Sequence, residues 1–157
     1  MQAIIALLGR WCLSVIFIVS GVYKIFSWQD VEQNFVSAMC ETASYYYQVT
    51  WLRDAFEIFI PRIPLLLIIA TTIEIVGGLL IFIGIQVRLG AFLLLLLLIP
   101  TTFFFHHFWT VPAADRALQM AMFMKNLSIF GGLLLVLAHG KGCKKSRPPK
   151  EKVQEEA

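Results

Sequence analysis

Four long apolar stretches, about 3–26, 63–85, 89–108 and 117–138, are separated by polar segments. A bilayer core about 30 Å thick is crossed by about 20 apolar residues in helical form, so each stretch is long enough to span it. Pro61 and Pro64 stand where the second stretch begins, a position that proline tolerates, and Pro100 is expected to bend the third. Gln86, Val87 and Arg88 form a tight turn, which makes the second and third helices antiparallel neighbours. The segment HHFWTVPAAD reads as a short aromatic loop before the fourth span. The pattern predicts an all-α integral membrane four-helix bundle, with one unit over 1–138 and a disordered basic tail over 139–157.

The connection from Ser27 to Arg62 mixes five acidic and two basic residues with aromatic ones. Val31, Phe35 and Met39 recur at helical spacing, which predicts an amphipathic helix from Asp30 to about Tyr46 on the membrane surface. Tyr45, Tyr46, Tyr47 and Trp51 suit the interfacial layer. The excess of carboxylates argues against nucleic acid as a partner, because it would repel phosphate.

Composition agrees: 59% hydrophobic residues and a mean hydropathy of +0.76 are too apolar for a water-facing globule of 157 residues. The first stretch lacks a basic leader and a small-x-small processing site, so it is expected to be a retained helix rather than a signal peptide. The tail and the Gln86–Arg88 turn hold seven Lys and Arg residues, and the other two connections hold three. By the positive-inside rule both termini are then cytoplasmic, and the helical loop and the HHFW loop face outwards, in the plasma (inner) membrane. Cys12, Cys40 and Cys143 fall in a span, the large loop and the tail, and read as reduced thiols.

Ionisable groups in hydrocarbon cost about 2.5 to 3.5 kcal/mol on insertion scales, so each needs a partner or a wet cavity. Glu74 lies about 16 Å below the outer end of the second span and Lys125 about 12 Å below that of the fourth, at about 1.5 Å per residue. These matching depths lead to the expectation that the two form an ion pair. Lys24 ends the first span, and His106 and His107 end the third. The candidate chemistry-bearing groups are therefore Glu74, Lys125, His106 and His107, with Lys24, Asn126, Phe103, Phe104 and Trp109 as candidate ligand contacts. The plainer alternative makes Glu74 and Lys125 a register-fixing pair and leaves the histidines at the headgroup layer. No metal site is expected, since adjacent histidines on a helix point apart and no further donor completes a ligand set.

The segments SGVYK, EIVGGLLIFIGIQVRLGA, FFFHHFW and MKNLSIFGGLLL together resemble the DoxX family of small four-helix membrane proteins. In that resemblance Lys24, Glu74, His106 or His107, and Lys125 with Asn126 stand at the recurrent polar positions, while the loop up to Arg62 is longer than is usual. It implies a role near membrane redox chemistry, since some relatives are subunits of thiosulfate:quinone oxidoreductases or associate with thiol and oxidative-stress enzymes. Fold alone does not fix function. The leading expectation is a membrane subunit of a redox system that binds a quinone or a small thiol-related molecule in an outer-half polar pocket, beside a redox or assembly partner protein. The alternatives are a non-enzymatic assembly, cargo or solute-binding protein and, less favoured, a proton-coupled transporter, which a homo-oligomer would supply with the inverted repeat that the chain lacks.

The charge asymmetry predicts that cysteine labelling will reach Cys143 only from the cytoplasmic side and Cys40 only from the opposite side. Labelling of both from one side would rule out the four-span topology.

Overall fold

The computed structural model describes residues 2–140, and within them the chain is helical with no strand. The helices are α1 (Gln2–Phe26), α2 (Trp28–Tyr45), α3 (Thr50–Phe59), α4 (Ile63–Ile83), α5 (Val87–Phe105) and α6 (Ala113–His139), with a 3-10 turn at Ile60–Arg62 joining α3 to α4. Four helical stretches have the length and apolar composition to cross a membrane: α1, α3 continued into α4, α5 and α6. The two ends of the bundle differ. At one lie α2, α3 and the HHFW loop; at the other lie the α4–α5 turn, the start of α1 and the end of α6.

Several boundaries depart from the expected ones for local reasons. The third span stops at Phe105 rather than Phe108, because the His106 N–H makes the last bond, to the Thr102 carbonyl at 3.0 Å, and the chain then turns. His106 and His107 therefore sit in a loop, where their directions are set by the turn and not by helical phase. The fourth helix starts four residues early, at Ala113 after Pro112, whose fixed φ suits a helix entrance. His139 ends α6 and Gly140 caps it, so these two are not part of a disordered tail; the remainder of the tail lies outside the described residues.

The surface helix begins at Trp28, two residues sooner than expected, and α3 is a discrete helix that mixed composition hid. Leu52, Phe56 and Ile60 recur every four residues along one face. Buried Phe56 meets buried Met39 of α2 and Ile63 of α4, with Phe35 and Phe104 against them. This small apolar cluster fastens α2 and α3 as a roof over one end of the bundle. A single residue, Ser27, separates α1 from α2, and its backbone continues the helical bonding from the Tyr23 carbonyl to the Val31 N–H.

Helix α4 is central: it packs against α1 on one side and α5 on the other, α6 packs against α5, and α1 and α6 touch only lightly. In lipid no hydrophobic force drives helices together, so close approach through small residues matters. Gly77 faces α5 and Gly78 faces α1. A Cβ on Gly90 would lie 2.8 Å from the Gly77 carbonyl oxygen, and one on Gly78 would lie 2.8 Å from Ile18 Cγ1 and 3.4 Å from the Ser14 carbonyl. Ile81, Val87, Ala91, Leu94, Leu98 and Leu133 complete a buried core between these helices. The α4–α5 turn is closed by Gly84 at φ +87° and by Gln86 at φ +47°, both left-handed. Arg88 then donates to the Ala138 carbonyl at 3.2 Å and ties the end of α6 to the start of α5.

Gly90→Ala is expected to destabilise the bundle by about 1 to 3 kcal/mol through overpacking against backbone. Gly131→Ala, with nothing within 4 Å of its Cβ position, should leave stability unchanged or slightly raised. Thermal unfolding in detergent compares the two directly.

Candidate functional site

Side chains on a helix lean towards its N-terminus, and α1 and α4 run antiparallel. Lys24, near the roof end of α1, therefore reaches down into the bundle, and Glu74, midway along α4, reaches up. They meet: Lys24 Nζ donates to Glu74 Oε1 at 2.5 Å, with the lysine side chain 19% and the carboxylate side chain 8% exposed. Gly21, one turn before Lys24, brings α1 this close, since its Cβ position lies 3.6 Å from Glu74 Cβ.

This corrects the expected Glu74–Lys125 pair. Equal depth is not adjacency: α6 packs against α5 and α4 against α1 and α5, so Glu74 and Lys125 stand on opposite corners of the bundle. The Lys125 ammonium donates to Met122 Sδ at 3.4 Å, and among the described residues no carboxylate lies within 4.0 Å of it.

Both lysines nevertheless reach one cavity of about 320 Å³ beneath the roof. Five of the nine expected site residues line it: Lys24, Glu74, His106, Lys125 and Asn126. The other four do not. Phe103 and Trp109 line a separate apolar cavity of about 280 Å³ with Phe123, and Phe104 packs edge-on against Phe56 of α3. His107 is buried outside the cavity, with no partner at Nδ1.

The aromatic wall comes from residues that the sequence reading passed over. Phe105 and Phe35 line the cavity and meet edge to face at 4.9 Å, with Phe17 further down. Phe105 follows Thr101 by four residues, so the two share a helical face, and Thr101 lines the cavity as well. That spacing is the signal in the sequence that separates Phe105 from Phe103 and Phe104. Ser20 of α1 and Asn34 of α2 add polar groups.

Neighbours hold the polar side chains in place. His106 Nδ1 bonds the Gln119 side chain at 3.0 Å, which leaves Nε2 for another partner, and Asn126 donates to Thr102 Oγ1 at 3.0 Å. The Lys24 and Glu74 charges cancel, so the cavity carries the uncompensated positive charge of Lys125. Glu74 Oε2 and Thr71 Oγ1, one turn apart on α4, are buried with no protein partner. Buried polar groups of this kind are costly unless hydrogen-bonded, so this part of the site has bonding capacity beyond what the chain uses.

These features define a multi-pass membrane helix bundle whose largely apolar cavity holds a cluster of polar and charged groups between aromatic rings. The profile of the DoxX family matches residues 5–107, about two thirds of the chain, and the protein belongs to that family. The match takes in Lys24, Glu74, His106 and His107 and stops before α6, so Lys125 and Asn126 lie beyond it. Comparisons with curated proteins and with solved structures gave no match.

Lys24→Met or Glu74→Gln alone should lower unfolding stability by about 3 kcal/mol, the low end for breaking a buried pair because Lys24 keeps some exposure. The double substitution should recover part of the loss, and Lys125→Met should couple to neither. Strict additivity of the Lys24 and Glu74 effects would show that the pair carries no stabilising interaction.

Proposed function

We propose that this protein is a membrane subunit of a redox system and that the cavity beneath α2 binds a small ring-bearing molecule, a quinone or a thiol-related compound. One observation carries the reading: a single cavity inside the membrane bundle unites an ion pair, an uncompensated ammonium, an imidazole and aromatic walls. Its volume falls at the lower end of the range for small-molecule sites. Membership of the DoxX family supports a redox connection without naming the ligand.

The residues present suit a quinone head. Lys125 and His106 supply hydrogen-bonding nitrogens for electron-rich oxygens, and Phe35 and Phe105 supply ring faces. When bound, a quinone supplies electron transfer coupled to proton uptake. The chain's own part is to bind and orient the oxygens and to keep bulk water out through the Phe35–Phe105 contact, with the Lys24–Glu74 pair and His106 as the groups through which a proton would pass. The electrons come from a partner protein or from the bound molecule itself. With both termini cytoplasmic, as the Lys and Arg distribution favours, the cavity lies in the outer half of the plasma membrane. A second reading, docking of an assembly or cargo partner, is favoured by exposed Tyr47, Trp51 and Phe59 on the roof.

The test is organic extraction of the purified protein followed by absorption spectroscopy and mass spectrometry. A quinone or a small thiol compound should be retained by the wild type and reduced about tenfold in Lys125→Met, as loss of a charge-assisted hydrogen bond implies. A protein partner that co-purifies with no bound small molecule would favour the assembly reading instead.

A further inference from the structure

We infer that the cavity is filled from the bilayer through the seam between α1 and α6, and that its occupant is an amphiphile. The occupant's electron-rich oxygen head sits at Lys125, and its single hydrocarbon chain lies in a groove further along the same seam. This rests on the proposed binding of a small molecule in the cavity, and it selects a lipid-soluble ligand over a water-soluble one.

The helix order leaves this seam as the weak side of the bundle. α1 and α6 touch only lightly, whereas the other neighbouring pairs interlock. Ile16 on α1, Lys125 on α6 and Asn34 of the roof all line the cavity and are all exposed. The roof itself is shut by the Phe35–Phe105 contact and by the apolar cluster around Phe56. A ligand therefore meets closed aromatic packing from above and a gap from the side.

Towards the opposite end, the same two helices form a second groove of about 450 Å³, lined by Gly9 and Leu13 on one wall and by Gly132, Leu135 and Val136 on the other. Leu13 lies between groove and cavity, 3.2 Å from the Cβ position of Gly132, and it is a flexible side chain rather than backbone. Gly9 has nothing within 4 Å of its Cβ position, so the groove floor is open there. The lining gives the occupant its direction: Lys125 stands without a carboxylate partner at the cavity end, beside the other polar groups of the site, whereas the groove walls are almost wholly hydrocarbon, with Arg10 and His139 only at its border. An oxygen-bearing head with a tail matches the cavity and the groove on one seam, joined where the Leu13 side chain turns aside, whereas a compact polar solute would leave the groove without a role.

Two probes separate the possibilities: a benzoquinone with a dodecyl chain ending in a photoreactive diazirine, and the same ring without the chain. Both are applied to the full-length protein in lipid nanodiscs. Labelling by the chain terminus is expected within Ala6–Leu13 of α1 or Gly132–His139 of α6, and filling the groove with Gly9→Phe or the smaller Gly9→Leu should cut it about tenfold, the effect of blocking a site by about 1.4 kcal/mol. Binding of the chainless ring should be unchanged in both variants, which also reports that they are folded. Labelling on α2, α3 or the HHFW loop, or labelling indifferent to both Gly9 variants while the chainless ring still binds in a Lys125-dependent way, overturns the seam route and leaves the cavity reading standing. If neither probe binds in a Lys125-dependent way, the quinone form of the cavity reading fails, and the inference drawn from it fails too.

Discussion

A carboxylate midway along a membrane helix is the constraint around which this bundle is arranged. Glu74 cannot remain charged in hydrocarbon without a partner, and the partner must come from a helix close enough to reach it. The small residues Gly21 and Gly78 bring α1 and α4 together at that level, and helix direction turns Lys24 downwards to meet the acid. With α1 committed to one face of α4 and α5 locked to the other through Gly77 and Gly90, α6 packs mainly against α5. The lightly packed seam and the solitary Lys125 are what that commitment leaves behind.

The apolar stretches reveal the four spans because hydrocarbon imposes length and composition on every helix that crosses it. The helical spacing of Val31, Phe35 and Met39 likewise exposes α2. Helix order is a different kind of information. Nothing in the depth of Glu74 and Lys125 tells which helices are neighbours, and that decision is made by packing of glycines against specific side chains. The seam between α1 and α6 was invisible for the same reason. α3 escaped notice because its apolar face, Leu52, Phe56 and Ile60, is interleaved with Arg53, Asp54 and Glu57 in a short segment. The charged residues of the spans that line the cavity, Lys24, Glu74 and Lys125, are legible because charge is rare there, whereas the hydroxyls of Ser20 and Thr101 are common enough in spans to carry no signal. Asn34 gives no signal because α2 is already rich in polar residues.

The aromatic residues near the roof divide into two functions that their sequence run does not separate. Phe35 and Phe105 border the polar cavity, while Phe103, Phe108, Trp109 and Phe123 form a cluster of tilted and edge-to-face rings on the other side of α5. The Trp109 indole donates to the Tyr46 hydroxyl at 3.1 Å, so this second cluster ties the HHFW loop to the end of α2. One group shapes a cavity and the other staples the roof at its far edge.

The single-residue joint at Ser27 makes α1 and α2 mechanically one bent rod. Its far edge is pinned by Tyr46 and Trp109, and its near edge is the last turn of α1, which carries Lys24. Lys24 and the Phe35 edge of the roof therefore belong to one continuous helical segment, which the ion pair with Glu74 holds to α4. The contact that neutralises a carboxylate in hydrocarbon is thus also the near-side anchor of the roof.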